Sequence, residues 1–140
     1  MSSRDQLLRT IALLVLVIAL LHIGATIFYL YWMLWWYDLI LHFLGGVFIA
    51  LLVLWLVSFS GYLGASSSLS LRQLFLISLV GTLGVGIGWE IFERLLGHTW
   101  SVEGYWLDTG IDLFLDVSGG VVGWFYFVKK YFFHESEQES

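Results

Sequence analysis

Three pairs of ionisable side chains recur at helical spacing along an otherwise apolar chain of 140 residues. The two members of each pair are three or four positions apart, so a helix would place both on one face. The pairs are Asp38 and His42, Glu90 and Glu93, and Asp112 and Asp116. Carboxylate and imidazole groups that point inward from facing helices build the metal sites of helical bundles. The spacing therefore predicts a polar site between helices.

The first and third pairs belong to a segment that occurs twice. Residues 38–47 read DLILHFLGGV and residues 112–121 read DLFLDVSGGV, so that six of the ten positions are identical. His42 in the first copy corresponds to Asp116 in the second, and two glycines follow each pair one helical turn later. A carboxylate inside an apolar segment is costly and is usually kept for a function. The repeat predicts two equivalent helices that face each other across a buried polar site.

The balance of charge favours a bound cation at this site. Five carboxylates with a single nearby cation, Arg94, cannot all stay ionised in a low-dielectric setting, so either several are protonated or a metal neutralises them. One imidazole among oxygen ligands suits Mn²⁺, Fe²⁺, Zn²⁺ or Mg²⁺. The predicted ligands of this divalent metal are Asp38, His42, Glu90, Glu93, Asp112 and Asp116. A hydrated plug of protonated acids is the alternative interpretation.

Three more polar residues are secondary candidates for contact with a substrate: Arg94, His22 and Asp108. Arg94 could attract an anionic headgroup, but it lies four residues after Glu90 and could simply pair with it. His22 is expected at a depth similar to that of Asp116, where a hydrogen-bonded core histidine is the ordinary interpretation. Asp108 stands at the start of an apolar segment, and there a helix N-cap is favoured over a ligand.

Composition sets the environment in which these residues act. The chain is 59% hydrophobic and only 12% charged, which excludes an ordinary soluble domain and indicates an integral membrane protein. It has no cysteine, which excludes disulfides and thiolate metal sites, and it shows no basic footprint for nucleic acid. A helix needs about 20 apolar residues to cross a bilayer core of about 30 Å. Four segments satisfy this requirement: residues 8–31, 37–60, 71–93 and 107–131.

The predicted fold class is therefore an all-α membrane protein, a four-transmembrane-helix bundle that forms a single domain over residues 1–140. Its last residues, 132–140, form an acidic tail. Basic residues predict the orientation of the bundle in the membrane, since five of the six fall on one side of the spans and only Arg94 falls on the other. By the positive-inside rule, both termini are cytoplasmic in a multi-pass protein of the cytoplasmic (inner) membrane. All three ionisable pairs then map to the outer half of the bilayer.

Internal symmetry and glycine spacing refine this picture. Both copies of the repeat run from outside to inside, so the two similar helical hairpins would be related by an axis along the membrane normal. Small residues let membrane helices approach closely. The glycines expected to serve such packing are Gly81, Gly84 and Gly88 in the third span, and Gly120 and Gly123 in the fourth.

The same motifs resemble those of the YjdF-like family of bacterial inner-membrane proteins, and more distantly those of the VanZ-like proteins linked to glycopeptide-antibiotic resistance. The matching residues are YD-x3-H-x2-GG at 37–46, WE-x2-E at 89–93 and D-x3-D followed by GG at 112–120. They occur in the family's order and cover most of the chain. The resemblance implies a polytopic membrane protein whose acidic and histidine positions form a shared site.

The leading functional hypothesis is a metal-dependent membrane protein that acts on a lipid-linked or cell-envelope substrate at the outer leaflet. The metal would activate a bound water or polarise a phosphoryl or carbonyl oxygen. The sequence shows no nucleophile motif, and it leaves open whether the protein is an enzyme. One alternative is cation or proton transport. The inner half offers only scattered Ser and Thr, which counts against a channel through a monomer but not against one built between protomers. The other is an accessory subunit whose polar cluster only fixes the bundle. A monomer and a homo-oligomer both fit the pattern.

Overall fold

The computed structural model describes residues 2–61, 69–96 and 104–132, and of residue 132 it describes the backbone alone. All regular structure in these ranges is helical. The elements are α1 (Ser3–Ile27), the short α2 (Leu30–Met33), α3 (Tyr37–Phe59), α4 (Leu71–Leu96) and α5 (Tyr105–Phe127), which continues into a π-helical turn at Val128–Phe132. The predicted acidic tail beyond residue 132 lies outside the described residues.

The helices α1, α3, α4 and α5 are each long and apolar enough to cross a membrane. This confirms the predicted all-α class with four spanning helices. The chain changes direction after α1 at Tyr29, whose φ of 56° is left-handed, a backbone conformation that bulky residues rarely adopt. The amide of Phe28 donates to the carbonyl of Gly24 at 2.9 Å and closes α1. An aromatic corner therefore joins α1 to α3.

The apolar core lies at one end of the bundle, which we call the terminal end. Leu7 near the start of α1 packs there with Leu54 of α3, Leu74 near the start of α4 and Tyr131 of the π-helical turn after α5, all nearly fully buried. Because α1 and α4 begin at this end while α3 and α5 finish there, consecutive spans alternate in direction. We call the opposite end, where α3 and α5 begin, the site end.

The helices α3 and α5 run parallel and approach each other through the glycines of the repeat. A β carbon at Gly46 would overlap the backbone carbonyl of Asp116, and one at Gly119 would overlap the backbone carbonyl of Phe43. Further along, a β carbon at Gly123 would come within 3.0 Å of the Ala50 side chain. One glycine from each copy of the repeat, Gly46 and Gly119, thus allows the two backbones to touch.

Helix α4 packs antiparallel to α5 along a row of every fourth residue. The buried members of this row are Leu74, Ser78, Thr82, Gly86 and Glu90. The prediction that all three α4 glycines pack within the bundle is wrong for two of them. Gly81 does meet the Val53 side chain, 2.8 Å from an added β carbon, but Gly84 and Gly88 have no atom within 4 Å. They lie two residues from members of the buried row, about 200° around the helix, and therefore face outward.

Candidate functional site

His42 lies at the centre of a buried polar cluster at the site end, where it is 6% exposed. Its Nε2 atom is 3.7 Å from an Asp38 oxygen and 4.0 Å from an Asp112 oxygen. Its Nδ1 atom is 3.3 Å from Oδ1 of Asp116. In the described part of the chain, the basic group within 4.0 Å of these three carboxylates is His42 rather than any Lys or Arg. One imidazole therefore faces three acids.

The local sequence explains this arrangement. Asp38 and His42 are one turn apart on the face of α3 that meets α5. Asp112 and Asp116 have the same spacing on α5, and because the two helices are parallel, each pair reaches the level of the other. The backbone contact at Gly46 draws the helices close enough for the side chains to meet.

Helix α4 adds the remaining predicted pair. Glu90 is 6% exposed, and its Oε2 accepts a hydrogen bond of 2.7 Å from the Thr109 hydroxyl of α5. His42, Glu90 and the half-buried Glu93 can each offer one ligand atom, with all three atoms within 4.8 Å of one another. Asp38, His42 and Asp112 satisfy the same condition. Two sets of potential ligands therefore share His42. We refer to Asp38, His42, Glu90, Glu93, Asp112 and Asp116 as the acid cluster.

Three carboxylates of the acid cluster each have a buried oxygen without a hydrogen-bond partner among the described residues. These atoms are Oε1 of Glu90, Oδ1 of Asp112 and Oδ2 of Asp116. An unpaired buried acceptor costs about 1–3 kcal/mol, and more when it is charged. Oxygen donors with one imidazole suit a hard or borderline divalent cation. The residues present therefore fit such an ion.

The secondary candidates lie at the edge of this site or away from it. The guanidinium of Arg94 lies 4.2 Å from the centre of the Tyr105 ring and is exposed. Asp108 is exposed too, and the expectation that it caps a helix is wrong. Helix α5 begins three residues earlier, after the N-cap residue Gly104, and the amide of Asp108 donates to the Gly104 carbonyl at 3.0 Å.

His22 is hydrogen-bonded but exposed on the surface of α1 rather than buried in the core. Its Nδ1 lies 2.6 Å from the hydroxyl of Tyr31, next to the corner between α1 and α3. Neither set of potential ligands includes His22. Partial burial, aided by the negative charge of Asp38, raises the pKa of the Tyr31 phenol. The phenol therefore stays protonated at neutral pH.

Sequence reasoning did not identify Thr109 as part of the site. It lies three residues before Asp112, on the same face of α5, and it bonds Glu90. The spacing Thr-x2-Asp-x3-Asp was the signal that could have revealed it. Thr82 was also overlooked, although it lies two turns from Glu90 in the buried row of α4.

Comparison with known proteins places the chain in a family. A family model described as "Predicted membrane protein (DUF2238)" matches residues 3–131, which is nearly the whole chain. This match confirms the resemblance to the YjdF-like proteins, whereas the more distant resemblance to VanZ-like proteins stays a prediction. Neither the curated proteins nor the solved structures include a significant match.

Proposed function

The chain belongs to the DUF2238 family of predicted membrane proteins, and from this premise we propose that it holds a divalent metal ion in the acid cluster and acts on a lipid-linked or cell-envelope substrate. The observation that carries the proposal is the ring of carboxylates around His42, several of whose buried oxygens have no partner among the described residues. A metal ion would neutralise these acids and satisfy those oxygens at once.

The distances support Asp38, His42 and Asp112 as the first ligands. A metal with bonds of about 2.1 Å holds its ligand atoms between about 3 and 4.2 Å apart. The separations of 3.7 Å and 4.0 Å from the imidazole Nε2 to the two carboxylates fall in that range. Glu90 and Glu93 of α4 would supply further oxygen ligands, since each offers an atom within 4.8 Å of a ring nitrogen of His42.

Asp116 has a different role in this proposal. Metal-bound histidines usually donate their second ring N–H to a carboxylate, which fixes the tautomer and the ring orientation. Oδ1 of Asp116 lies 3.3 Å from Nδ1 of His42, on the opposite side of the ring from Asp38 and Asp112. Asp116 would accept that proton and leave Nε2 free to bind metal, so it acts as a positioning residue.

The surroundings of the acid cluster support a substrate at the membrane surface. The Asp38 side chain is 29% exposed, which gives access from the site end. Large exposed aromatics such as Trp35 and Trp106 lie at that end, as is typical of a membrane interface. With both termini cytoplasmic in the inner membrane, this is the outer leaflet, where Arg94 could attract an anionic headgroup. When bound, the metal would activate a water or polarise a phosphoryl or carbonyl oxygen.

Elemental analysis tests the proposal directly. Detergent-purified protein should contain close to one Mn, Fe, Zn or Mg ion per chain. Chelation should lower the melting temperature, since a ligand at one hundred times its Kd stabilises the folded state by about 2.7 kcal/mol. Adding back the metal should restore the original value. Protein that holds no stoichiometric metal, and whose melting temperature does not respond to chelator, would refute the proposal.

The two aspartates of α5 should respond differently to substitution. Asp116→Asn should weaken metal binding by about 10–100-fold, as expected for the loss of a partner that orients a ligand. Asp112→Asn should weaken it further, because a ligand atom is lost. Calorimetric titration with Mn²⁺ would measure both. Asp108→Asn, an exposed change on the same helix, is the matched control and should bind as the unmodified protein does. Equal losses in all three variants would contradict these roles.

A further inference from the structure

A groove that is open to the membrane lies between α3 and α4, in the half of the bundle nearer the terminal end. Its cavity has a volume of about 440 Å³. The residues that line it are aliphatic, apart from one glycine, and include Val53, Leu56 and Val57 of α3 with Ile77, Val80 and Gly81 of α4. Because an apolar surface gains by covering another apolar surface, a hydrocarbon chain is the ligand that this cavity fits.

Glycines extend the groove toward the site end. On α4, Gly84 and Gly88 follow Gly81 at intervals of three and four residues, so the three glycines share one face. On α3, Gly45 lies on the same face as Leu56, since about three helical turns separate them. A β carbon added at Gly45, Gly84 or Gly88 would meet no atom within 4 Å. The space beside these glycines is therefore open.

The groove meets the acid cluster at Asp38, which lies about two turns from Gly45 on the same face of α3. The Asp38 side chain is 29% exposed. Burial raises the pKa of the Tyr31 phenol, and the negative charges of Asp38 and Glu93 raise it further, so a protonated phenol lies near both acids. The groove thus has a polar mouth and an apolar far end, which is the distribution of polarity in a lipid with an anionic head.

The length of the groove favours one class of lipid. Asp38 and Leu56 lie about 27 Å apart along α3 at 1.5 Å per residue. The bilayer core is about 30 Å thick, so the acyl chains of a phospholipid reach only about 15 Å, to the midplane. A polyisoprenoid chain is longer than one leaflet and passes the midplane. Such a chain is long enough to lie in the groove from its mouth to the cavity.

We propose that the substrate of the acid cluster is a polyisoprenoid phosphate lipid, whose head lies at Asp38 and whose chain follows the α3–α4 groove as far as Leu56. This inference rests on the proposed function, since the metal ion would hold the phosphate. The lipid enters sideways between the helices and does not leave the bilayer. Affinity then rises with the length of the chain, because each further methylene that reaches the cavity buries more apolar surface.

Lipid titrations followed by native mass spectrometry test the proposal on full-length, detergent-purified protein with Mn²⁺. Undecaprenyl phosphate should bind about tenfold or more tightly than farnesyl phosphate, whose short chain ends before the cavity. Dioleoyl phosphatidic acid carries a similar phosphate head on chains that stop at the midplane, and should bind no better than farnesyl phosphate. Equal affinities for the three lipids would overturn the proposal.

Val80→Trp tests where the chain lies. Val80 lines the cavity and is 68% exposed, so a larger side chain there fills the groove without entering the packed bundle. The variant should bind undecaprenyl phosphate about tenfold more weakly and farnesyl phosphate as before. Val122→Trp on α5 is the matched control, since Val122 is 48% exposed and is not among the residues that line the cavity. It should bind both lipids normally.

Two results with the variants would also overturn the proposal. One is undiminished binding of undecaprenyl phosphate by folded Val80→Trp, or by Gly84→Leu should Val80→Trp not fold. The other is a detergent-stable dimer that Val80→Trp converts to a monomer, which would make a second copy of the chain the occupant of the groove. Mn²⁺ titration separates the two proposals, because Val80→Trp should bind metal normally. Protein that binds Mn²⁺ but does not distinguish the lipids would refute the lipid and leave the metal site.

Discussion

Replacing His42 with alanine should remove bound divalent metal from the protein altogether. Both sets of potential ligands, one with Asp38 and Asp112 and the other with Glu90 and Glu93, include this imidazole. Its loss therefore takes from each set the one nitrogen donor that the set contains. The affinity for Mn²⁺ or Zn²⁺ should fall by more than about 100-fold, beyond the range expected when an outer partner of a ligand is removed. Calorimetric titration and elemental analysis would measure the loss.

The same substitution should also lower the stability of the metal-free protein. In the metal-free folded state a protonated His42 would balance the charge of the three carboxylates around it, and removing one partner of a buried ion pair costs about 3–5 kcal/mol. His22→Ala is the matched control, since His22 is exposed on α1 and belongs to neither set. It should bind metal normally. Normal binding by His42→Ala, or an equal loss in His22→Ala, would contradict the proposed site.

Helical periodicity was enough to predict much of this architecture. Spans are defined by runs of apolar residues, and an interval of three or four residues places two side chains on one face whatever the neighbouring helices do. The repeat adds a relation between helices, because two equivalent segments that run the same way bring equivalent residues to the same depth. These arguments anticipated that Asp38 and Asp112 would approach the same imidazole, which they do.

Other features depend on choices that a single sequence does not determine. Spacing gives the face of a side chain but not its rotamer, so it could not tell that Asp116 lies at Nδ1 while Asp112 lies at Nε2. The start of α5 depends on loop geometry, and a shift of three residues turned Asp108 from an expected cap into an exposed residue of the helix. Gly84 and Gly88 match the spacing of a packing stripe, but α4 packs against α5 through another row of residues.

The second large effect is expected at Gly46, where alanine should destabilise the protein by about 3 kcal/mol or more, the upper part of the range for overpacking. The added methyl group would overlap the backbone carbonyl of Asp116. Because backbone rather than a flexible side chain stands in the way, α3 and α5 would have to separate. That separation would also move Asp116 away from His42. Thermal unfolding in detergent and Mn²⁺ titration should both register the change.

Gly45 supplies a control one residue away, since nothing lies within 4 Å of the β carbon that alanine would add there. Gly45→Ala should be neutral or slightly stabilising, because alanine favours a helix over glycine by about 1 kcal/mol. Gly119→Ala should behave like Gly46→Ala, as its methyl group would overlap the backbone carbonyl of Phe43. A melting temperature that falls equally in Gly45→Ala and Gly46→Ala would show that the close contact at Gly46 does not set the distance between the two copies of the repeat. The geometry around His42 would then need another cause.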